Sequence, residues 1–308
     1  MTELTTSVKV RNKIRHKDEM TINILACIVV GLVAFISLVP FYVIIVSSFR
    51  SEASIIAKGH SLIPQDLSTT AYEYIFRTPK TIIRAYANTI LVTLVGTFLA
   101  VMMATMTGYV LQRPDFDWRN KIAFFFFFTT LFNGGLVPTY MIMTQIFKFK
   151  NSYHALILPM AFSVWNMIIS KTFMRSISYE LTEAAKIDGA NDIRIFFTII
   201  FPLARPLVAT IGLFTALGYW NDWYQCMLYE SKEEMYNLQF FLNEIINGIQ
   251  GLKAIASMGG TVDISLDALP SETMKMAMTV VAIGPIIFLY PFVQKFFVKG
   301  LTIGSVKG

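Results

Sequence analysis

The sequence predicts an all-α membrane protein with six transmembrane helices. Of its 308 residues, 55% are hydrophobic and only 15% are charged, whereas soluble domains usually carry about 25% charged residues. The chain also contains six long runs that are almost free of charged side chains. Each run approaches or exceeds the roughly 20 apolar residues that a helix needs to cross a bilayer. The connecting segments differ in their Lys and Arg content, which predicts the orientation.

The six apolar runs predict the membrane spans and the segments between them. A transmembrane domain at residues 22–298 would then lie between an N-terminal tail at 1–21 and a C-terminal tail at 299–308. The first run is too long for the apolar region of a signal peptide, and it lacks a small-residue cleavage pattern, so we expect a retained helix. The predicted spans are residues 22–48, 84–111, 121–147, 154–174, 205–229 and 275–295.

The distribution of basic residues predicts which side each loop faces. With the N-terminus inside, the inner segments hold 16 Lys and Arg and the outer segments hold 8. Basic residues concentrate on the cytoplasmic side of membrane proteins. Both termini are therefore expected inside and the long loop 230–272 outside. The net charge of +6 reflects this topology and the neighbouring anionic lipid, and it does not indicate nucleic-acid binding.

Two of the predicted spans have features that bear on packing and on a transport path. The second span carries Gly96, Ala100, Ala104 and Gly108 at four-residue spacing, which lets helices approach closely in lipid. The third span is interrupted at Asn133, Gly134 and Gly135. Irregular backbone at membrane depth is tolerated where it is buried in protein or lines a cavity. A flexible break beside a path and a static kink are equally compatible with this pattern.

The segment 178–202 is the one polar interruption with helix signals of its own. Ser178 is expected to cap a short helix in which Leu181, Ala184, Ala185 and Asp188 share one face. Gly189 suits a turn just beyond this helix, because glycine tolerates positive φ. Asn191 is expected to cap a second helix that ends near Ile200, where Phe201 precedes Pro202 and should leave helical geometry.

This segment resembles the EAA loop of the permease subunits of ATP-binding cassette (ABC) importers. The resemblance rests on Glu183, Ala184, Ala185, Asp188, Gly189, Ala190, Pro202 and Pro206. In that family the loop is cytoplasmic and docks onto the ATP-hydrolysing subunit. The resemblance implies the type I ABC importer permease fold, in which residues 178–202 form a coupling loop. It also implies that Glu183, Ala184, Ala185, Asp188 and Gly189 couple the permease to its ATPase.

Three further stretches are similar to carbohydrate importer permeases. They are residues 134–140, 274–277 and 297–302. The resemblance then implies a multi-pass subunit of the bacterial cell membrane, which would import a carbohydrate, in particular an oligosaccharide. It implies three kinds of partner: a second, homologous permease chain, two ATPase subunits and an extracellular substrate-binding protein.

A cluster of aromatic and polar residues at the outer end of the fifth span is a candidate part of the substrate path. Aromatic faces stack on the C–H faces of sugars, and Asn and Asp side chains bind hydroxyl groups. Asp222 is also the acid that interrupts the fifth span, and intramembrane acids are functional candidates by default. The aromatic belt at the membrane interface is the competing interpretation. The candidates are Trp220, Asn221, Asp222, Trp223 and Tyr224, together with Asn133 and Asn166.

The sequence argues against chemistry in this chain itself. It has no G-x-x-x-x-G-K-[ST] string, so it lacks the phosphate-binding loop of ATPases, and the resemblance assigns ATP and Mg²⁺ to the partner ATPase. Three dispersed histidines and two cysteines show no metal-ligand spacing. The alternative function is an ion-coupled secondary transporter. That class usually carries paired acids or repeats with broken helices, whereas a membrane enzyme or sensor would show a catalytic cluster or domain.

Overall fold

The computed structural model describes residues 2–257 and 271–287, with the backbone alone at 2–19 and 256–257. Regular structure in these ranges is helical, apart from one isolated bridge between Arg50 and Leu67. The chain divides into two compact units. Among the described residues, the first consists of residues 2–74, 253–257 and 271–280, and the second of residues 75–252 and 281–287.

The first unit begins with a long helix, α1, at Thr2–Ser48. The sequence separates a polar tail at 1–21 from the first span, but the structure joins them in one helix. The reason is that residues 1–30 contain no glycine or proline, so no helix-breaking residue separates them. Two short helices follow, α2 at Glu52–Lys58 and α3 at Thr70–Ile75.

A buried carboxylate in the first unit holds the start of the last described helix, α15, at residues 272–287. Glu52 accepts hydrogen bonds from the backbone N–H groups of Glu272 and Thr273 at 3.0 Å each, and from the hydroxyl of Ser271 at 2.7 Å. Burial alone would raise the pKa of Glu52, but these hydrogen bonds lower it to about 2. Glu52 therefore stays ionised and caps α15.

The second unit is built around α4, at Pro79–Gln112. This helix packs against three later helices of the unit, α7, α8 and α12. The helices that follow α4 in the chain are α5 at Arg119–Thr129, α6 at Leu136–Met141, α7 at Tyr153–Ala161, α8 at Val164–Met174, α9 at Glu180–Ile187, α10 at Asp192–Ile195, α11 at Phe201–Leu203, α12 at Arg205–Trp220, α13 at Tyr224–Tyr229 and α14 at Leu238–Ser257. The residues of α14 from 253 onward belong to the first unit.

Small residues on α4 allow the close approach that their spacing predicts. A side chain added at Gly96 would collide with the ring of Tyr219 on α12. One added at Gly108 would collide with Ser170 on α8. The predicted packing role of this stripe is confirmed at these two positions, and α4 is held tightly against both neighbours.

Some of the predicted spans correspond to single long helices among the described residues, and others to bent helix pairs. Two apolar stretches are long enough to cross a membrane, Met20–Ser48 and Pro79–Gln112. Two bent helix pairs pass the same test of length and composition. They are Tyr153–Ala161 with Val164–Met174, bent by 46°, and Asp192–Leu203 with Arg205–Trp220, bent by 82°. The predicted sixth span, 275–295, is described only as far as residue 287.

The third and fifth predicted spans are each divided in the structure. In the third, α5 ends at Thr129 and helix resumes at Leu136, so the predicted interruption at Asn133 is confirmed. In the fifth, residues 205–229 do not form one continuous helix. Helix α12 ends at Trp220 and α13 begins at Tyr224, and the Asp222 carboxylate between them accepts a hydrogen bond from the backbone N–H of Gln225 at 3.2 Å.

The candidate coupling site and the substrate-path residues

The coupling loop begins with α9, an eight-residue helix that is partly buried in the chain's own core. Glu180 and Glu183 lie in its first turn, where the helix dipole favours carboxylates. Tyr179 rather than the predicted Ser178 occupies the N-cap position, and its side chain makes no capping hydrogen bond. Its backbone carbonyl instead accepts the N–H groups of Thr182 and Glu183, at 2.9 and 3.1 Å.

The turn after α9 has the geometry that the glycine predicts. Gly189 has φ of +80°, and its N–H donates to the carbonyl of Lys186 at 3.0 Å. The N–H of Ala190 donates to the carbonyl of Ala185 at 2.9 Å. These two bonds form a Schellman motif, which usually requires glycine at this position. Asn191 then caps α10, as expected, by accepting the N–H of Arg194 at 2.8 Å.

The structure divides the two alanines of the EAA string between two environments. Ala185 is only 8% exposed and packs in a core cluster with Val101 of α4 and Met174 of α8. It therefore faces the chain's own interior, and its expected role in coupling to the ATPase stays a prediction. Ala184 is exposed, and Ile187 at the end of α9 is 86% exposed.

The second half of the coupling loop continues through Pro202, which the sequence predicts as its end. Phe201 keeps helical angles, with φ −60° and ψ −42°, and helix extends to Leu203. The preceding turn, Phe196–Ile200, is a wider π-helix. Pro202 then falls in the first turn of the next short segment, where its missing N–H is not needed. The chain turns at Ala204 instead, where the 82° bend separates α11 from α12.

Four charged side chains form an ionic cluster that joins the coupling loop to the turn between α4 and α5, residues 113–118. Arg113 binds the Asp115 carboxylate through two nitrogens, at 2.6 and 2.9 Å. It also contacts Asp192 of α10 at 2.7 Å. Lys186 of α9 contacts Asp115 at 2.8 Å and Asp192 at 3.9 Å.

The ionic cluster keeps its charges over a wide pH range. The hydrogen bonds from Arg113 hold the pKa of Asp115 well below its usual value. The hydrogen bond with Asp115 in turn raises the pKa of Lys186. Opposite charges at this separation favour the charged form of each group. By contrast, the carboxylates of Glu183 and Asp188 have no ion-pair partner within the part of the chain that the structure describes.

The residues of the aromatic segment, 220–224, do not share one surface. Trp220 is 5% exposed and its indole N–H donates to the carbonyl of Ala282 at 3.1 Å. It therefore packs between helices of its own chain, and its expected place on the substrate path stays a prediction. Asn221 is exposed and donates its amide to the carbonyl of Leu217 at 2.9 Å. Trp223 and Tyr224 are exposed, and their rings meet edge to face with centroids 6.0 Å apart.

The carboxylate of Asp222 is used only in part by its own chain. Its Oδ1 accepts the N–H of Gln225 at 3.2 Å. Its Oδ2 is buried and has no hydrogen-bond partner among the described residues. Buried polar atoms normally have a protein or water partner. One oxygen of Asp222 is therefore a buried acceptor without a partner in the described part of the chain.

The two more distant substrate-path candidates occupy different settings. Asn166 is partly buried near the start of α8, and its amide donates to the hydroxyl of Thr215 on α12 at 3.4 Å. Asn133 lies in the break of the third span and accepts the N–H of Gly135 at 2.9 Å. Asn133 thus stabilises the interruption, whereas Asn166 joins two helices that pack on α4.

Sequence reasoning missed several residues that the structure brings to the coupling site. The α4–α5 turn lies between the second and third predicted spans and holds none of the predicted site residues, yet Arg113 and Asp115 bind both helices of the loop. Ile193 of α10 is 68% exposed beside Arg113, along a groove of about 340 Å³. Ile187 and Ile193 could have been found in the sequence, because each is an isoleucine flanked by charged residues on a short polar helix, a pattern that indicates an exposed apolar contact.

Among the described residues, no three His, Cys, Asp or Glu side chains could hold a metal ion.

The fold and the exposed helix–turn–helix define a membrane-embedded, all-helical transport subunit, and known proteins place it in a family. Residues 116–225 match the family of binding-protein-dependent transport system inner membrane components. The polygalacturonan/rhamnogalacturonan transport system permease protein YtcP of Bacillus subtilis is 39% identical, over 89% of this chain and 94% of its own. Protein LplC of the same organism is 37% identical, over 90% of this chain and 92% of its own.

A solved structure supports the same assignment. A bacterial ABC transporter that imports the acidic polysaccharide alginate contains a chain with a TM-score of 0.72 and 28% identity. The match covers 91% of this chain and 98% of that one. The chain therefore belongs to the family of binding-protein-dependent transport system inner membrane components. It is a permease subunit of an ABC importer and not itself an enzyme, since a separate subunit hydrolyses ATP.

Proposed function

We propose that this permease imports an oligosaccharide across the bacterial cell membrane. Similarity to a relative named for polygalacturonan and rhamnogalacturonan transport carries the proposal. The alginate importer and the arabinooligosaccharide permease AraQ of Halalkalibacterium halodurans, 28% identical over 96% of this chain, support the same class of cargo. An ion-coupled secondary transporter is not favoured, because these relatives belong to ABC systems.

The proposed topology has six spans, with both termini and the coupling loop in the cytoplasm and residues 230–272 outside. The bias of 16 basic residues to 8 supports this orientation. The two long apolar helices and the two bent pairs support four of the crossings. The remaining two are the interrupted third span and the sixth span, which begins within α15.

The coupling loop is proposed to dock onto the partner ATPase, where ATP and Mg²⁺ are bound. The apolar contacts would come from Leu181, Ala184, Ile187 and Ile193, which are all exposed. Apolar side chains at the centre of a contact, with charges at its rim, are typical of protein interfaces. Glu183 and Asp188 supply rim charges for basic groups on the ATPase, and Gly189 sets the turn.

The proposed importer contains this chain, a second homologous permease, two ATPase subunits and an extracellular substrate-binding protein. On this chain, the free oxygen of Asp222 and the exposed rings of Trp223 and Tyr224 are suited to a sugar. The ring faces would cover apolar C–H surface, and the carboxylate would accept a hydroxyl proton. Asn221, Asn166 and Asn133 are the further candidates along the path.

Uptake into vesicles that contain the complete importer tests this function. Labelled oligosaccharides of galacturonate and of arabinose would be offered with the binding protein outside and ATP inside. We expect uptake that needs both ATP and binding protein and that survives ionophores. Uptake that needs no ATP and that ionophores abolish would indicate a secondary transporter instead. Uptake of amino acids but of no sugar would contradict the proposed class of cargo.

A further inference from the structure

We propose that Arg113 and Asp115, which lie outside the coupling loop, are positioning residues that fix the angle between α9 and α10. This inference rests on the proposed docking of the loop onto the ATPase. Asp115 binds Lys186 in the last turn of α9, and Arg113 binds Asp192 in the first turn of α10. The ionic cluster therefore contacts the coupling loop on both sides of Gly189.

The turn that carries the two residues is itself held in place. The Arg119 guanidinium donates to the carbonyl of Arg113 at 2.8 Å. The N–H of Arg119 donates to the carbonyl of Phe116 at 3.1 Å. The Arg113 side chain is only 12% exposed, and its guanidinium lies 5.7 Å from the ring centre of Tyr109 on α4. These contacts fix Arg113 relative to α4, and a planar guanidinium fixes the direction of its bonds.

The coupling loop needs such an external restraint because its own turn is short. Four residues, 188–191, connect α9 to α10, and the backbone hydrogen bonds of Gly189 and Ala190 run back into α9 without reaching α10. Apolar contacts through Ala185 and Ile195 hold the loop against α4 and α8, but such contacts have little directional preference. The bidentate pair of Arg113 with Asp115 orients both side chains within the turn. Their charged contacts with Asp192 and Lys186 then supply the direction that the apolar contacts lack.

The same contacts connect the coupling loop to the membrane helices, so that a movement of the loop can be transmitted to them. Arg113 directly follows α4, and α4 packs against α7, α8 and α12 in the second unit. A push on α9 or α10 would reach α4 through the ionic cluster as well as through the apolar core. Without the ionic cluster the loop would still fold against the core, yet its angle would vary when the ATPase moves.

Paired variants in the complete importer, reconstituted in vesicles, test the inference. Asp115→Asn and Arg113→Gln should keep complex assembly and basal ATP hydrolysis. Each should reduce the stimulation of hydrolysis by loaded binding protein at least about fivefold, the lower end of typical coupling effects. Asp115→Glu, which keeps the carboxylate, should recover most of the stimulation. Asp117→Asn is the matched control, because it removes the same charge from the same turn but lies outside the ionic cluster.

The outcomes separate this inference from the proposed function. If Gly189→Val loses stimulation while Asp115→Asn and Arg113→Gln keep it, the coupling loop stands and the positioning role is wrong. If all three keep full stimulation, docking through this loop is wrong. Equal losses in Asp115→Asn and Asp117→Asn would overturn the inference, because they would indicate that the turn acts through its total charge.

A distance measurement tests the angle directly, also where a variant assembles poorly. Spin labels at Leu181→Cys and Arg194→Cys, with Cys27 replaced by serine, report the separation of α9 and α10 in the importer. Arg113→Gln should broaden the distribution of distances between the two labels, whereas Asp117→Asn should not. An unchanged distribution in Arg113→Gln would contradict the inference.

Discussion

The coupling loop and the aromatic segment lie at opposite ends of α12, and they use their polar groups in opposite ways. In the coupling loop, Lys186 and Asp192 are paired with groups of the same chain, while Ile187 remains exposed. In the aromatic segment the apolar Trp220 is buried, while a carboxylate oxygen of Asp222 has no partner among the described residues.

This difference distinguishes two kinds of binding surface. A protein partner gains most from burying exposed apolar side chains, provided that the charges nearby are already paired and need not be desolvated alone. A sugar gains most from a free acceptor and exposed ring faces, because each unpaired hydroxyl would cost binding energy. The coupling loop fits the first description at Lys186 and Asp192, while Glu183 and Asp188 keep carboxylates at its rim that are unpaired among the described residues. The aromatic segment fits the second description.

The largest expected effect contrasts two tryptophans within the aromatic segment. Trp220→Ala should leave a cavity and an unpaired carbonyl at Ala282, at a cost of about 3–5 kcal/mol. Trp223→Ala, at an exposed position, should cost about 0.5–1 kcal/mol. We therefore expect a lower yield and melting temperature of the purified complex for Trp220→Ala alone.

The outcome decides where the aromatic segment contributes. A stable Trp220→Ala complex that fails only in uptake would support the predicted place of Trp220 on the substrate path. Loss of stability in both variants would indicate that the whole segment is structural. Loss of uptake in a stable Trp223→Ala complex would support a sugar contact at its ring.

A smaller effect is expected from the turn of the coupling loop. Gly189→Val places a β-branched residue at φ of +80°, and such strain costs about 1–3 kcal/mol. The position has open space around it, so the backbone conformation is the cause. We expect normal assembly of the membrane helices, with loss of ATP hydrolysis stimulated by binding protein and of uptake.

Gly189→Asn provides the matched control, because asparagine tolerates positive φ far better than valine does. It should keep at least half of the stimulation that the valine variant loses. Equal damage by both substitutions would mean that a side chain blocks docking at this point. Full activity of both would remove the turn from the coupling mechanism.

The sequence predicts the backbone of the coupling loop better than its side-chain contacts. Gly189 and Asn191 follow local rules, since a positive φ and a helix cap depend on the residue itself. The predicted end of the second helix was wrong because a residue before proline only prefers extended angles, and Phe201 keeps helical angles before Pro202. The π-helical turn at 196–200 was not predicted either, since a sequence carries little signal for such a turn.

Contacts between segments far apart in the chain could not be predicted from the sequence, for a different reason. Arg113 and Lys186 are 73 residues apart, and only the packing of α9 against α4 and α8 brings them together. The burial of Trp220 could not be predicted for the same reason, because its neighbours in the chain are polar and aromatic and do not indicate a buried position. Its burial depends on Ala282, which no local pattern connects to it.

The smallest expected effect concerns the free acceptor of Asp222. Asp222→Asn keeps an oxygen for the N–H of Gln225, so this contact with the first turn of α13 should remain. It replaces the unpartnered carboxylate oxygen by an amide that donates, which removes one acceptor for a sugar hydroxyl. One such hydrogen bond contributes about 0.5–1.5 kcal/mol. We therefore expect uptake at saturating binding protein to fall about twofold to tenfold, with assembly and stimulated ATP hydrolysis unchanged.

Glu234→Gln is the control for this last comparison. It removes another carboxylate from the same predicted outer region, and its ion pair with Arg84, at 3.2 Å, is exposed to solvent. Exposed pairs contribute about 0–1 kcal/mol, so uptake should stay near that of the wild type. If both variants transport equally well, the free oxygen of Asp222 binds water only. If both lose uptake equally, the outer surface acts through its total charge, and the contrast between the two ends of α12 does not extend to substrate binding.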